Sequence, residues 1–255
     1  MCHDDCPFPV QGGAPIGESD IEIELIDGGS LPVFLTVPEG EVRGAVLLMH
    51  DIHGPNAFYH DLARRLAHEG YLTALPDLFH RIPVEPDSSP DAQRARGRLM
   101  EQAPALLDLE TLAFWLKRHE SSNGKLGTLG FCMGGTLVLL LASREPIAEA
   151  AICYYGFPMR ERTPLQPILP SDAGEVANLQ SPILGFWGDQ DHGVGPANVD
   201  AYSDQLMAAA KSHDFITYTG IGHGFLTFDP SATAYEEAAD SWVRTLDFLR
   251  AEFAR

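Results

Sequence analysis

The order of the apolar runs predicts an α/β protein, a mostly parallel sheet of about eight strands with helices on both faces. Three observations carry this expectation. Short, continuously apolar runs such as Ala45-Val46-Leu47-Leu48-Met49 suit strands buried on both faces. Stretches of helical period alternate with them, as in βαβ units. Polar or glycine-rich turns follow most of the apolar runs, where a parallel sheet places its ligand-binding edge.

The chain opens differently, with a hairpin. Ile21-Glu22-Ile23-Glu24-Leu25 alternates apolar and acidic residues, and 31–37 is a second β-like run across the Asp27-Gly28-Gly29 turn. Residues 45–49 form the first buried strand and end in His50-Asp51-Ile52-His53-Gly54. Phe58, Leu62 and Leu66 then mark one face of a helix, with Arg64 and Arg65 expected outward. Residues 71–75 are the next strand, followed by Pro76-Asp77-Leu78-Phe79-His80-Arg81. Three prolines in 82–92 predict a loop, and 93–120 reads as helix, broken or bent at Pro104. After the unit at 125–142, residues 150–154 are a strand. Residues 155–181 form a long Pro-rich connection of the kind that serves as a lid or is disordered. Residues 183–187 are a strand, and Pro196 opens a helix whose apolar face holds Val199, Tyr202 and Leu206. Residues 215–218 are the last strand. Tyr235, Ala238, Trp242, Leu246, Leu249 and Phe253 share the core face of a terminal helix. No repeat or linker divides the chain, so 1–255 reads as a single domain with residues 1–18 as an irregular extension.

Composition narrows the function classes. At 255 residues, 45% hydrophobic and 21% charged, the chain has enough apolar mass for one large core. A net charge of -19 argues against nucleic acid and anionic membrane surfaces, which recruit basic patches. No apolar run approaches the roughly 20 residues of a membrane span. The start, Met1-Cys2-His3-Asp4-Asp5-Cys6, has no basic and apolar leader, so a cytoplasmic protein is expected. Cys2, His3 and Cys6 resemble a fragment of a metal site without a downstream pair to complete it, and a frayed, solvated terminus is the expectation there. Cys132 and Cys153 are the remaining cysteines, too few for a disulfide framework.

The chemistry concentrates at Gly130-Phe131-Cys132-Met133-Gly134-Gly135, between a strand and an apolar helix. Gly-x-Cys-x-Gly is the spacing of a nucleophile elbow, with cysteine in place of serine. A sharp strand-to-helix turn leaves no room for Cβ atoms two residues to either side, and the helix start favours thiolate. A buried structural cysteine beside a glycine-rich turn is the bland alternative. The downstream order argues against it: an acid on the 188–192 loop, then His223 between Gly222 and Gly224, is the α/β-hydrolase order of nucleophile, acid and histidine. Asp189 and Asp191 are both candidates for the acid on local grounds. Ile52 and Met133 N–H occupy the positions of an oxyanion hole. His50, Asp51 and His53 as metal ligands are a weaker reading, because no partner carboxylates or histidines accompany them; His50 and His53 read better as groups lining the site.

With these motifs in this order, the chain resembles the dienelactone hydrolase family, the carboxymethylenebutenolidases of the α/β-hydrolase fold, from about Ile21 to the C-terminus. The resemblance implies a hydrolase that opens a lactone or activated carboxylic ester through Cys132, His223 and Asp191 and a thioester acyl-enzyme, without cofactor or metal. It selects Asp191 over Asp189, and it implies that Arg81 binds a substrate carboxylate and that Asp51 modulates the thiol. Two positions depart from the family. Asp51 stands where glutamate is frequent, and Thr227 stands where a second carboxylate-binding arginine belongs. Hydrolase chemistry therefore transfers better than the dienelactone substrate. The expected partner is a small ester or lactone, with no nucleic acid or membrane, in a monomer or small homo-oligomer. The rival is a non-catalytic scaffold of the same fold that binds small molecules or proteins, which has no need of nucleophile, acid and histidine together.

Overall fold

The apolar runs become the strands of one eight-stranded sheet, and the order of those strands decides where chemistry can sit. The computed structural model describes residues 3, 6–83, 89–144, 147–158 and 173–255. β1 (Ile16–Glu24) and β2 (Ser30–Pro38) form the expected antiparallel hairpin, with Asp27 Oδ1 accepting the Gly29 N–H in the turn. β2 adds antiparallel to β4 (Tyr71–Pro76). From β4 onward the sheet is parallel, running β4, β3 (Gly44–Met49), β5 (Leu126–Phe131), β6 (Ala150–Tyr154), β7 (Ile183–Gly188) and β8 (His213–Tyr218). Strand order reverses at β3, whose neighbours are β4 and β5. The carboxyl ends of β3 and β5 mark the switch point, where such sheets bind ligands.

Helices cover both faces, as β5 shows. A Cβ on Gly127 would stand 2.6 Å from Leu249 of the terminal helix α7 (Tyr235–Phe253). Gly130, three residues on and so on the opposite face, lies against Gly134 of α4 (Met133–Ala142). Every residue of α4 from Gly134 to Ala142 is buried, which explains its unbroken apolar sequence. α1 (Ala57–His68) begins at Asn56, whose side chain accepts the Phe58 N–H, and buries Phe58, Leu62 and Leu66 as the periodicity requires. α6 (Pro196–Ala208) buries Val199, Tyr202 and Leu206.

Several boundaries differ from the sequence expectation. The helical stretch at 93–120 is two helices, α2 (Pro90–Leu99) and α3 (Gln102–Arg118), separated at Met100 and Glu101. Pro104 sits in the first turn of α3, where a missing N–H breaks no intrahelical bond, so it does not cause the interruption. The 82–92 loop gives way to α2 at Pro90, and its residues 84–88 lie outside the described residues. The long 155–181 connection contains α5 (Ala173–Asn178), and its residues 159–172 likewise lie outside them. Arg65 is not turned outward: its guanidinium binds the buried Asp61 and stacks 3.6 Å over the Phe228 ring. The supposed irregular extension at 1–18 ends at Ile16, and its described part is docked on the domain rather than frayed, as detailed below.

The elbow is the tightest point of the fold. Cys132 takes φ 52° and ψ -112°, a conformation that a residue with a Cβ adopts only when its surroundings impose it. A Cβ on Gly134 would lie 2.3 Å from the Met49 carbonyl oxygen and 2.6 Å from that of His50. Gly134→Ala therefore requires β3 and α4 to separate, and we expect a loss of about 3 kcal/mol in urea unfolding. An unchanged midpoint would show that the two elements can yield without cost.

Candidate active site

Four strand ends supply the site. β5 delivers Cys132, and its backbone is fixed from both sides: its N–H donates to the Tyr154 carbonyl and its carbonyl accepts the Thr136 N–H, each at 3.0 Å. Met133 heads α4, among the N–H groups that an α-helix leaves without intrahelical partners. Ile52 lies on the loop after β3, the same loop whose carbonyls press on Gly134. The expected pair of oxyanion donors thus sits on two elements in direct contact.

β7 and β8 supply the acid and the histidine. Their following loops are tied together, with the Asp189 N–H on the Tyr218 carbonyl and the Gln190 N–H on the Ile221 carbonyl. Asp191 is 2% exposed, and His223 Nδ1 donates to its Oδ2 at 2.6 Å. Asp191 Oδ1 accepts the N–H groups of Gly193 and Val194, both at 3.1 Å. Burial works to raise this carboxyl, but the bond and charge of His223 and the two amides outweigh it and hold it below the usual carboxylate range. The stability from this pairing is present above pH about 4, where an unfolded aspartate ionises, and is lost as pH falls through the lower folded value. Asp189 does something else: its Oδ1 accepts the Gly220 N–H and the Gln190 amide, closing the turn between the two loops.

Side chains that the sequence did not single out wall the histidine. Tyr155, just past β6 with φ 39°, places its ring edge-on to His223 at 5.0 Å between centroids. The Phe157 ring lies 5.7 Å from the imidazole. Their position is not accidental. The Phe157 N–H donates to Thr136 Oγ1 on α4, and Trp187 Nε1 donates to the Gly156 carbonyl, so this corner is pinned to the elbow helix and to β7. The only sequence signal was their place immediately after a buried strand at the active edge.

The His50-Asp51-Ile52-His53 loop is organised by backbone bonds. His50 is fully buried; its Nδ1–H donates to the Asp51 carbonyl at 2.6 Å, and its Nε2 accepts the Leu78 N–H at 3.0 Å. Burial lowers its pKa to about 4, so it is a neutral strut between the β3 and β4 loops with both nitrogens committed. That geometry does not suit a metal ligand. Asp51 is also buried, and its two carboxylate oxygens accept the N–H groups of His53 and His3. Among the described residues, no cluster of three or more His, Cys, Asp or Glu has metal-binding geometry.

Arg81 is placed differently from the expectation. Its Nε and Nη2 form a fork on Asp108, at 2.8 and 2.7 Å, and Nη1 binds Asp27 at 2.7 Å. Both carboxylates raise its pKa further. The guanidinium ties the β4 loop to α3 and the hairpin turn, an anchoring that the motif did not indicate. A cavity of about 320 Å³ adjoins it, lined also by Leu99, Met100, Glu101 and Pro104, and Cys132 is not among the lining residues. Thr227 serves a turn, accepting the Asp229 N–H on Oγ1.

Comparison with known proteins gives a consistent answer. The model of the dienelactone hydrolase family matches residues 31–253. The carboxymethylenebutenolidase of Rhodococcus opacus is 32% identical over 210 residues, covering 80% of this chain and 79% of that protein. The crystal structure of a Klebsiella pneumoniae protein assigned as a dienelactone hydrolase superposes with a TM-score of 0.80 at 27% identity, over 92% of this chain and 98% of that one. A dienelactone hydrolase-like promiscuous phosphotriesterase from metagenomic libraries shares the fold, with a TM-score of 0.71 at 22% identity over 94% and 99%.

Two predictions follow from the geometry. Asp191→Asn should lower kcat by about 10⁴, since an amide can present its N–H to His223 and impose the wrong tautomer. Asp189→Asn should be mild; the reverse pattern in ester-hydrolysis kinetics would reassign the acid. Arg81→Ala leaves the Asp108 carboxylate buried without its fork, and stability in urea should fall by about 2 kcal/mol. Its effect on kcat/KM should be equal for carboxylate-bearing and neutral esters. A loss confined to acidic substrates would restore the substrate-binding role.

Proposed function

We propose that this chain, which belongs to the dienelactone hydrolase family, hydrolyses a lactone or activated ester through a Cys132-His223-Asp191 triad and a thioester intermediate. The observation that carries the reading is the 2.6 Å bond from His223 Nδ1 to buried Asp191, on loops at the same sheet edge as the strained Cys132 elbow. With Nδ1 bound to Asp191, Nε2 is the ring nitrogen assigned to take the thiol proton.

The steps follow from these groups. The Cys132 sulfur, its proton passed to His223 Nε2, attacks the acyl carbon, and the carbonyl oxygen takes up the electron pair as an oxyanion. The Met133 and Ile52 N–H groups stabilise that charge. Collapse of the adduct breaks the ester C–O bond, and the departing alkoxide takes the proton from Nε2. The thioester is then attacked by water deprotonated at the same nitrogen, releasing the acid and restoring the thiol. Asp191 stabilises the imidazolium in both halves. Thiolate is itself a good leaving group from the tetrahedral adduct, so strained lactones and activated esters are favoured over amides. No step requires a metal or cofactor.

A panel of p-nitrophenyl esters and lactones tests the proposal, together with iodoacetamide. Cys132 should alkylate fastest, with hydrolysis falling in step. Cys6 is slower because burial and the neighbouring Asp61 push its thiol up to about 11, and Cys153 because complete burial pushes it up to about 12. Turnover should survive EDTA and disappear in Cys132→Ala. Full activity after complete Cys132 labelling would refute the mechanism.

A further inference from the structure

His3 reaches the catalytic edge of the sheet. The His3 ring stacks on Phe58, 3.7 Å between centroids and 5° from parallel, and meets the Tyr59 and Phe131 rings edge-on at 6.1 and 6.4 Å. Phe131 is the residue before Cys132. The His3 N–H donates to Asp51 Oδ2 at 2.9 Å, and its carbonyl accepts Asn56 Nδ2 at 2.6 Å. Its Nε2 shares a 2.8 Å hydrogen bond with the Tyr155 hydroxyl. One residue thus bridges the loop after β3, the start of α1 and the end of β6.

A second anchor holds the arm farther along. The Val10 N–H donates to Oδ1 of Asp61 at 2.6 Å, and Asp61 is 2% exposed on α1. Arg65 clamps this contact, binding Asp61 Oδ2 and the Phe8 carbonyl, each at 2.7 Å. Ordering a chain terminus costs conformational entropy. Bonds from His3 and from Val10, each to a buried carboxylate, mark these residues as part of the packed structure.

We propose that this N-terminal arm completes the active site, with His3 as a positioning residue that fixes the Asp51 carboxylate and the Tyr155 hydroxyl beside the nucleophile; the catalytic consequence rests on the hydrolase reading above. Each partner of His3 touches a different part of the machinery. Asp51 Oδ1 holds the His53 N–H at 2.8 Å, so securing this carboxylate shapes the loop that carries the Ile52 N–H. Tyr155 lies edge-on to His223, so locking its hydroxyl fixes the wall along which the imidazole moves between thiol and alkoxide. Misplacement of such groups by a fraction of an ångström falls mainly on kcat.

The test uses the full chain and five variants: His3→Ala, His3→Gln, Tyr155→Phe, the double variant His3→Ala/Tyr155→Phe, and Val10→Pro. Kinetics are read on the best ester of the panel, with thermal unfolding and the rate of Cys132 alkylation alongside. His3→Ala should lower kcat about 10-fold, as loss of one or two hydrogen bonds implies. The double variant should be no worse than the poorer single one, His3→Gln should recover part of the loss, and Tm should hold. Val10→Pro, which removes the distant anchoring N–H, should move kcat the same way. Alkylation of Cys132 should quicken in His3→Ala, since the ring beside Phe131 is gone. Unchanged kcat, losses that multiply independently or merely follow Tm, or activity that rises when the arm is loosened would each overturn the proposal. If the parent hydrolyses nothing in the panel, the hydrolase reading fails instead. Equal alkylation rates in parent and His3→Ala would then still reject the arm's place at the nucleophile.

Discussion

The close approach of α4 to the end of β3 is the constraint on which the rest of the site depends. The main chain at Gly134 rests against the carbonyls of Met49 and His50, and only a residue without Cβ permits it. β3 and β5 pair in register up to Met49 and Gly130, so the elbow and the Ile52 loop leave the sheet side by side. The strain at Cys132, with φ 52°, is sustained because β5, β6 and α4 all hold its backbone. Cys132 and both candidate oxyanion donors therefore form one rigid unit.

Around that unit, buried polar groups are satisfied chiefly by main-chain partners. His50 is kept neutral by burial and spans two loops; Asp51 and Asp191 each accept two N–H groups besides their other contacts. Such bonding orients a side chain without bringing a counter-charge into the core, where desolvation would be severe. The same economy explains Arg81. In a chain of net charge -19, a guanidinium at the sheet edge is claimed by the carboxylates already there, Asp108 and Asp27.

Aromatic rings supply the wall that polar groups cannot. Phe131 stacks on Tyr154 across the β5–β6 pairing, Tyr155 and Phe157 flank His223, and His3 closes the cluster from the N-terminal side. A ring cluster of this kind lines the site with apolar surface, beside which hydrogen bonds are stronger than in water. It also ties three chain segments, far apart in sequence, to the environment of one imidazole.

Local order in the sequence was enough for the architecture. Strand and helix periods, the hairpin turn and the Gly130-Cys132-Gly134 spacing are short-range patterns, and the succession of Cys132, the 188–192 carboxylates and His223 is an order of local motifs; each reappears in the fold. The family resemblance added the preference for Asp191. Choices among equivalent local groups were left to the tertiary structure. Asp189 and Asp191 sit in the same turn, and only the packing of the β7 and β8 loops gives one of them to the imidazole and the other to Gly220. Arg81 satisfied the family motif, yet its partners lie 27 and 54 residues away, beyond the reach of any pattern read along the chain. His3 and Tyr155 are 152 residues apart, and the His3 segment looked like a solvated end because its composition is polar and carries no period. What a residue can be is written in its neighbours along the chain; which partner it takes is decided by neighbours that only folding brings within 3 Å.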